Sequence, residues 1–220
     1  MAIYNGGILD EYKNKIGNVV GRRWRNLDVI SKYQPSVKNP NTEKQKIQRM
    51  KFKTLSSLAK AFRIPLDISM AGVAAGTKNP VRGQFISRNM EAVEVTLPDT
   101  VDVDYTLLKV ADGGFVEASF GSPQFNDPLK VSVSFSYDII TDVNSEDDQI
   151  HLVVYNPGAN LAIEKAARAG ARSIVVDVPN SWNGETVHVW GYTVAAEAGN
   201  RPTSPSQVSP SHYIGNGSIN

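Results

Sequence analysis

The sequence predicts an α+β protein in which a basic N-terminal part precedes a β-rich body. Apolar residues recur at helical spacing over about residues 42–92, and beyond them they alternate with polar residues, as the two faces of a strand require. The charge divides at the same place. Residues 1–90 hold 17 Lys and Arg against five Asp and Glu, a net charge of +12, whereas residues 91–220 hold six against 17, a net charge of −11.

Composition excludes several classes of protein. No apolar run approaches the roughly 20 residues that a membrane-spanning helix needs, so we expect no membrane partner. The chain has no cysteine, which excludes disulfides, thiolate nucleophiles and Cys-based metal sites. The N-terminus lacks the basic and apolar regions of a signal peptide. We therefore expect synthesis in the cytoplasm, and a component of a virion made inside the cell would have the same composition.

Residues 1–41 are predicted to form an extended, basic, Gly- and Pro-rich arm. The first 14 residues show no period and contain two adjacent glycines, which argue against a regular element. Residues 16–31 alternate glycines with apolar residues and suit a short hairpin. Pro35 and Pro40 each push the preceding residue out of the helical region, so the end of the arm should be extended.

Three helices are predicted over residues 42–92. The first begins at Thr42, which with Gln45 has the spacing of a capping box, and it ends near Pro65. The second and third should cover residues 66–75 and 80–92. The first helix has an apolar stripe at near-helical spacing, formed by Ile47, Met50, Leu55, Leu58 and Phe62.

Residues 93–200 are predicted to form an immunoglobulin/fibronectin-like antiparallel β-sandwich. Short alternating segments separated by Gly, Pro and Asn turn signals are typical of this architecture. The candidate strands are residues 92–97, 105–111, 115–120, 129–137, 149–155, 161–165, 172–178, 186–196 and 212–214. The remaining tail, residues 201–220, is Pro/Ser-rich and is predicted to be mainly extended.

Several stretches resemble a domain-of-unknown-function family of roughly this length, which is abundant in Bacteroidota genomes and in their phages. They are Gly17-Asn-Val-Val-Gly-Arg-Arg-Trp-Arg, Asn39-Pro-Asn-Thr, Arg49-x-x-Phe52, Asp148-Gln-x-x-Leu-Val-Val-Tyr-Asn-Pro and Ser181-Trp-x-Gly-Glu-Thr-Val-His-Val. The resemblance extends over most of the chain. It implies family membership and brings no activity and no catalytic residue with it.

No constellation of residues predicts a reaction. His151, His188 and His212 lie in or near strand patterns without clustered carboxylates, so we expect them to be structural. The acidic stretch 142–148 offers oxygen ligands but lacks the pattern of an EF-hand, and we interpret it as a solvated loop. The spacing Gly17-x-x-x-Gly21 lacks the ending of a phosphate-binding loop. We therefore expect no enzyme, no catalytic residue, no metal site, no cofactor and no small-molecule substrate.

The basic N-terminal part contains the candidate partner-binding residues, because Arg and Lys with an interleaved aromatic suit both protein contacts and phosphate contacts. These residues are Arg22, Arg23, Trp24, Arg25, Lys44, Lys46, Arg49, Lys51 and Lys53. The sequence predicts a non-enzymatic structural or assembly protein, with a phage virion component as its concrete form, that docks onto other protein subunits, either copies of itself or different chains. A nucleic-acid-binding protein is the alternative. A carbohydrate-binding sandwich using Trp182 and Trp190 is a further one.

Overall fold

The computed structural model describes residues 2–4, 14–24, 27–36, 40–125, 128–199 and 201–219. Helices and antiparallel sheets both occur, so the predicted α+β class is confirmed. The chain divides into two compact units, Met1–Thr42 and Glu43–Asn220. None of the helices in the described residues combines the length and the apolarity that a membrane crossing requires.

The first unit contains a four-stranded antiparallel sheet, where we had predicted an extended arm that can include a hairpin. In chain order its strands are β1 (Ala2–Tyr4), β2 (Asn14–Ile16), β3 (Val19–Trp24) and β4 (Leu27–Lys32). The spatial order is β1-β4-β3-β2. The β3–β4 pair agrees with the predicted hairpin. The remaining strands escaped prediction, because β1 has only three residues and pairs with β4, which is distant in sequence.

The second unit opens with four helices: α1 (Glu43–Ala61), α2 (Arg63–Ser69), α3 (Ala71–Ala74) and α4 (Val81–Arg88). Helix α1 begins directly after Thr42, where the sequence predicted its start. Pro65 lies in the first turn of α2, where a missing backbone N–H breaks no helical hydrogen bond. The predicted second helix is interrupted at Met70, and α4 ends earlier than predicted, at Arg88.

Nine strands follow in the described residues of the second unit. They are β5 (Val93–Thr96), β6 (Thr100–Val103), β7 (Ser119–Phe120), β8 (Lys130–Ser136), β9 (Gln149–Asn156), β10 (Leu161–Arg168), β11 (Ser173–Asp177), β12 (Thr186–Val194) and β13 (His212–Ser218). One sheet has the order β10-β9-β12-β13, a second has the order β11-β8-β7, and β5 pairs with β6. All of these pairs are antiparallel.

The strand predicted at residues 105–111 was wrong. Its backbone amides bond within local turns or to side chains from elsewhere in the chain, and not to a neighbouring strand. The amide of Lys109 donates to Asn89 Oδ1 at 2.7 Å, and the amide of Val110 donates to Ser211 Oγ at 2.9 Å. Asp104 starts the segment with a turn, because its Oδ1 accepts from the amide of Thr106 at 2.9 Å. A loop results, although its sequence alternates like a strand.

The two ends of the predicted sandwich also differ from expectation. The strand predicted at residues 115–120 is reduced to β7, which has two residues. The strand predicted at residues 212–214 is confirmed but is longer, and as β13 it pairs with β12 and forms one edge of the four-stranded sheet. Before β13, Ser204 caps a short 3₁₀ turn at Pro205–Gln207 through a capping box.

The core lies on both faces of the β10-β9-β12-β13 sheet. One face packs against the β11-β8-β7 sheet in a hydrophobic cluster to which the four-stranded sheet contributes mainly aliphatic residues, such as Ile150 and Leu152. Between these sheets, Gly191 of β12 lies under the ring of Phe120, and a Cβ at this position would overlap the ring. The other face packs against the helices.

That second cluster includes Phe62, Tyr155 and Trp190. The ring of Phe62 lies 4.8 Å from that of Tyr155 and 5.6 Å from that of Trp190, measured between centroids. The helices are therefore fixed to the sheet by aromatic side chains, and this packing sets the position of the surface described next.

Candidate docking groove

Helices α1 and α4 border a groove of about 580 Å³ on the surface of the second unit. The α1 wall is formed by Gln48, Phe52 and Ser56, which follow one another at intervals of four residues and so share one side of the helix. The wall formed by α4 and the residues around it consists of Pro80, Arg82, Gly83, Ile86, Ser87 and Met90. We call this surface the α1–α4 groove.

Phe52 is the most conspicuous side chain of the groove, because it is large, apolar and 54% exposed. All the buried residues of α1 lie in its second half, from Leu55 to Ala61. Phe52 precedes them by almost one turn and is left at the edge of the core. Across the groove, Ile86 is almost fully buried and Met90 is partly buried. The groove therefore presents one exposed aromatic ring beside a rigid apolar wall.

Basic residues border this apolar surface. Arg49 and Lys53 line a second recess of about 390 Å³ that adjoins the groove at Gln48 and Phe52. Arg82 Nη2 donates to the carbonyl oxygen of Ser56 at 3.2 Å, so its guanidinium is held across the groove. Helix α1 as a whole contains six Lys and Arg and one acidic residue. The groove can accept an apolar segment that carries negative charge.

The sequence-predicted site residues fall on both units. The five on α1 are Lys44, Lys46, Arg49, Lys51 and Lys53. Arg49 and Lys53 line the recess, while Lys51 Nζ donates to the carbonyl oxygen of Met90 at 3.2 Å and so ties α1 to the end of the groove.

The other four predicted residues belong to the first unit. Arg22 and Arg23 are exposed on β3, and Arg23 lies 3.9 Å from a carboxylate oxygen of Asp28. Trp24 ends β3 opposite Leu27, and its side chain lies outside the described structure. Arg25 lies outside the described residues altogether.

Sequence reasoning missed the apolar part of the groove. Phe52 was noted as part of a motif, but it was not predicted to bind a partner. The sequence did offer one indication that Phe52 is exposed: it lies between Lys51 and Lys53 and outside the apolar stripe of the helix. Ile86, Met90 and Arg82 gave no such signal, because only the packing of α4 against α1 brings them to Phe52.

A separate recess of about 470 Å³, away from the α1–α4 groove, has the opposite charge. Its lining includes four carboxylates, those of Glu91, Glu94, Asp102 and Asp104. The ring of Tyr105 stacks on that of His188, with centroids 3.9 Å apart, and His188 Nδ1 lies 3.0 Å from the hydroxyl of Tyr213. We call this surface the acidic cleft.

Burial sets the protonation of the aromatic groups in the acidic cleft. It lowers the pKa of His188, so the imidazole is neutral at neutral pH. The pKa of Tyr105 is raised, first by burial and then by the charge of Asp102. Carboxylates beside ring faces suit a cation. Within the described residues, however, no group of three or more His, Asp or Glu side chains is placed to hold a metal ion.

A histidine, a glutamate and a tyrosine meet inside the core. His151 Nδ1 lies 2.9 Å from Glu164 Oε1, and the hydroxyl of Tyr192 donates to the same oxygen. Burial raises the pKa of Tyr192 well above its usual value, and the charge of Glu164 acts in the same direction. The side chains of His151 and Glu164 are 4% and 7% exposed, so a substrate has no access to them. The trio joins β9, β10 and β12.

The two tryptophans considered for sugar binding are also enclosed. Trp182 is 1% exposed, and Trp190 is fully buried. Stacking of a sugar requires an exposed ring face, so the carbohydrate interpretation of these residues was wrong.

The comparisons with known proteins bear on family and not on activity. A search of curated proteins finds no match. A model of a family of unknown function, DUF6266, matches residues 11–215, which are 205 of the 220 residues. The matched range covers parts of both units, including the α1–α4 groove and the acidic cleft. By this match the chain belongs to the DUF6266 family.

Proposed function

We propose that this protein is a non-enzymatic structural or assembly protein that docks onto another protein subunit through the α1–α4 groove. The observation that carries the proposal is the exposed ring of Phe52 in an apolar groove bordered by Arg49, Lys53 and Arg82. Aromatic residues in pockets and arginines beside them are the residues that most often dominate binding energy at protein interfaces.

Nucleic acid is the competing partner, because the basic residues of α1 could contact phosphates. The character of the groove favours protein. Its lining around Phe52 is largely apolar, with Ile86 and Met90 opposite, and Lys51 is already bonded to the backbone of Met90. A phosphate backbone would leave this apolar surface uncovered, whereas an apolar protein segment would bury it.

The strand order supports an immunoglobulin/fibronectin-like sandwich for the seven strands β7–β13. In the immunoglobulin constant arrangement the first, second and fifth strands share one sheet, and the third, sixth and seventh share the other. Here β7, β8 and β11 form one sheet, and β9, β12 and β13 lie in the other. The fourth strand, β10, pairs with β9 instead of joining β11. Sandwiches of this kind serve many proteins as rigid building blocks, which fits an assembly role by analogy.

A subunit of a phage virion is the concrete form of this proposal. Its support is the division of charge, +12 over residues 1–90 and −11 over residues 91–220, since opposite charges on one chain favour packing between subunits. This reading also accommodates synthesis in the cytoplasm before incorporation into a particle.

A photocrosslinking experiment tests the class of partner. Phe52 is replaced by p-benzoylphenylalanine, a phenylalanine that carries a photoreactive benzoyl group, and the protein is made and irradiated in the cells that naturally produce it. The matched control carries the same group at Ile64, which is 69% exposed on α2. We expect covalent adducts with protein at position 52 that are absent at position 64. Adducts with nucleic acid, or equal labelling at both positions, would overturn the proposal.

A further inference from the structure

The loop between β8 and β9, residues 138–147, exposes apolar side chains. Ile139, Ile140 and Val143 are 48%, 49% and 54% exposed. The acidic residues of the same loop, Asp138, Asp142, Glu146 and Asp147, are also exposed, and the loop contains no basic residue. We call it the β8–β9 loop. Three exposed aliphatic side chains in ten residues cannot be explained by packing within the chain, and exposed apolar patches often mark interaction sites.

The β8–β9 loop is held in one conformation by its own hydrogen bonds. Asn144 Oδ1 accepts from the amide of Ile140 at 2.6 Å, and Asn144 Nδ2 donates to the carbonyl oxygen of Asp138 at 2.9 Å. Asp148 fastens the base, because its Oδ2 accepts from the hydroxyl of Tyr137 and the amide of Ser145, both at 2.8 Å. A loop that is already ordered loses little conformational entropy when it docks.

The β8–β9 loop and the α1–α4 groove match in apolar character and are opposite in charge, which are the two properties that matter for docking. The groove is apolar with a basic border, and the loop is apolar with four acidic residues, of which Asp147 pairs with Arg168 of its own chain at 3.4 Å. Both surfaces are exposed in a single chain: Phe52 is 54% exposed, and so is Val143. The loop therefore does not cover the groove of its own chain. A second copy of the chain would offer a loop to the exposed groove and a groove to the exposed loop.

We propose that the β8–β9 loop of one copy occupies the α1–α4 groove of the next, so that the chain assembles head to tail. This inference rests on the proposed docking function of the groove and names its occupant. Because the two surfaces differ, a pair of copies joined by a first contact still has one free groove on one copy and one free loop on the other. Such heterologous contacts close into a ring or continue as a filament, depending on the angle between copies.

The decisive test uses charge reversal in the full-length chain. A groove variant carries Lys53→Glu and Arg82→Glu, and a loop variant carries Asp138→Lys, Asp142→Asn and Glu146→Lys, which makes the loop net positive. We expect the wild type to associate in analytical ultracentrifugation at about 100 µM, a hundredfold above the dissociation constant of a micromolar interface. Each variant alone should be monomeric, since its groove and loop carry the same sign. An equimolar mixture should associate again, with the two variants alternating.

The apolar contribution is tested separately. Phe52→Ser and the pair Ile139→Ser and Ile140→Ser should each weaken association about 30-fold or more, as for central residues of an interface. The matched controls are Ile64→Ser and Leu107→Ser, which replace apolar residues that are equally exposed outside both surfaces. The controls should leave association unchanged. Circular dichroism and thermal unfolding establish that every variant is folded.

Two results would overturn the inference. One is a wild type that stays monomeric at about 100 µM, and the other is an assembly that survives both sets of variants. The photocrosslinking result is independent of these. A protein adduct at position 52 together with a monomeric wild type would leave the docking function standing and assign the groove to a different chain. No protein adduct would refute the docking function itself.

Discussion

The two faces of the β10-β9-β12-β13 sheet are built from different chemistry. Toward the β11-β8-β7 sheet, the sheet presents aliphatic residues such as Ile150, Leu152 and Val154. Toward the helices it presents large aromatic residues, and at one place the trio of His151, Glu164 and Tyr192. Residues next to one another in a strand alternate between these environments. The comparison shows one strand contributing to a hydrophobic core and to a polar network at the same time.

The difference predicts how each face responds to mutation. Aliphatic packing is lost in proportion to the volume removed, whereas a polar network is lost when one member leaves its partners without a hydrogen bond. On the helix-facing side two buried groups already lack a partner within the described structure, His151 Nε2 and Trp190 Nε1. The stability of the helix-facing side should therefore depend on the hydrogen bonds that remain there, those among His151, Glu164 and Tyr192.

The largest effect is expected on the aliphatic face. Leu152→Ala should lower the free energy of unfolding by about 2–5 kcal/mol, because the side chain is fully buried and its removal leaves a cavity. Denaturant unfolding measures this change. Leu161→Ala, on the same sheet but 45% exposed, is the control and should cost far less. Equal losses for the two variants would contradict the assignment of Leu152 to a tightly packed core.

A smaller effect is expected in the polar trio. Glu164→Gln keeps the size of the side chain but weakens its bonds to His151 and Tyr192, so we expect a loss of about 1–3 kcal/mol. Tyr192→Phe in both backgrounds completes a double-mutant cycle. A coupling energy near zero would show that the tyrosine and the glutamate do not stabilise one another.

A pH dependence should arise from His188 at the acidic cleft. Burial lowers the pKa of His188, so below pH 6.5 the unfolded chain binds a proton that the folded chain does not. The free energy of unfolding should therefore fall as pH drops through 6.5, and recover as pH rises. The ring faces Tyr105, Trp190 and Tyr213, with the Asp102 and Asp104 carboxylates also lining the cleft.

The slope assigned to His188 should be a fraction of the ~1.4 kcal/mol per pH unit that one full proton gives, because the ring is only half buried. Denaturant unfolding between pH 5 and 8 compares the wild type with His188→Gln. The variant should lose that part of the slope. Identical slopes for the wild type and the variant would show that His188 has the same pKa in the folded and the unfolded chain.

The smallest effect is expected for the ion pair between the sheets. Lys165 of β10 and Asp177 of β11 are 3.2 Å apart, but both side chains are largely exposed. Lys165→Ala should change the free energy of unfolding by about 0–1 kcal/mol, less at high salt. Asp177→Asn is the second variant, because it removes the other charge of the same ion pair. A loss as large as that of Leu152→Ala would mean that the pair is more important than its exposure indicates.

Much of the sheet structure could be predicted because alternation reports burial directly. In β8, Val131, Val133 and Phe135 point into the core and alternate with polar residues. The same rule failed at residues 105–111, because the backbone there bonds to Asn89 and Ser211, which are distant in sequence. It also predicted only residues 212–214 of β13, because Gly215 and Gly217 weaken the strand pattern beyond them; pairing with β12 extends the strand to Ser218.

The candidate site could be predicted only in part. The basic residues of α1 were visible as a cluster in the sequence, and the structure brings Arg49 and Lys53 to one recess. The apolar groove beside them depends on the packing of two helices separated by about twenty residues of chain. The acidic stretch between β8 and β9 was interpreted as a solvated loop. Its exposed Ile139, Ile140 and Val143 became a surface only when the fold left them uncovered.

The contact between Phe120 and Gly191 limits the order in which mutations can accumulate at these positions. A side chain at 191 that arises first meets the ring and forces the two sheets apart. A smaller residue at 120 that arises first leaves space, and a later alanine at 191 can then fill it. In an alignment of DUF6266 sequences, position 191 should therefore depart from glycine only where position 120 has already lost its ring.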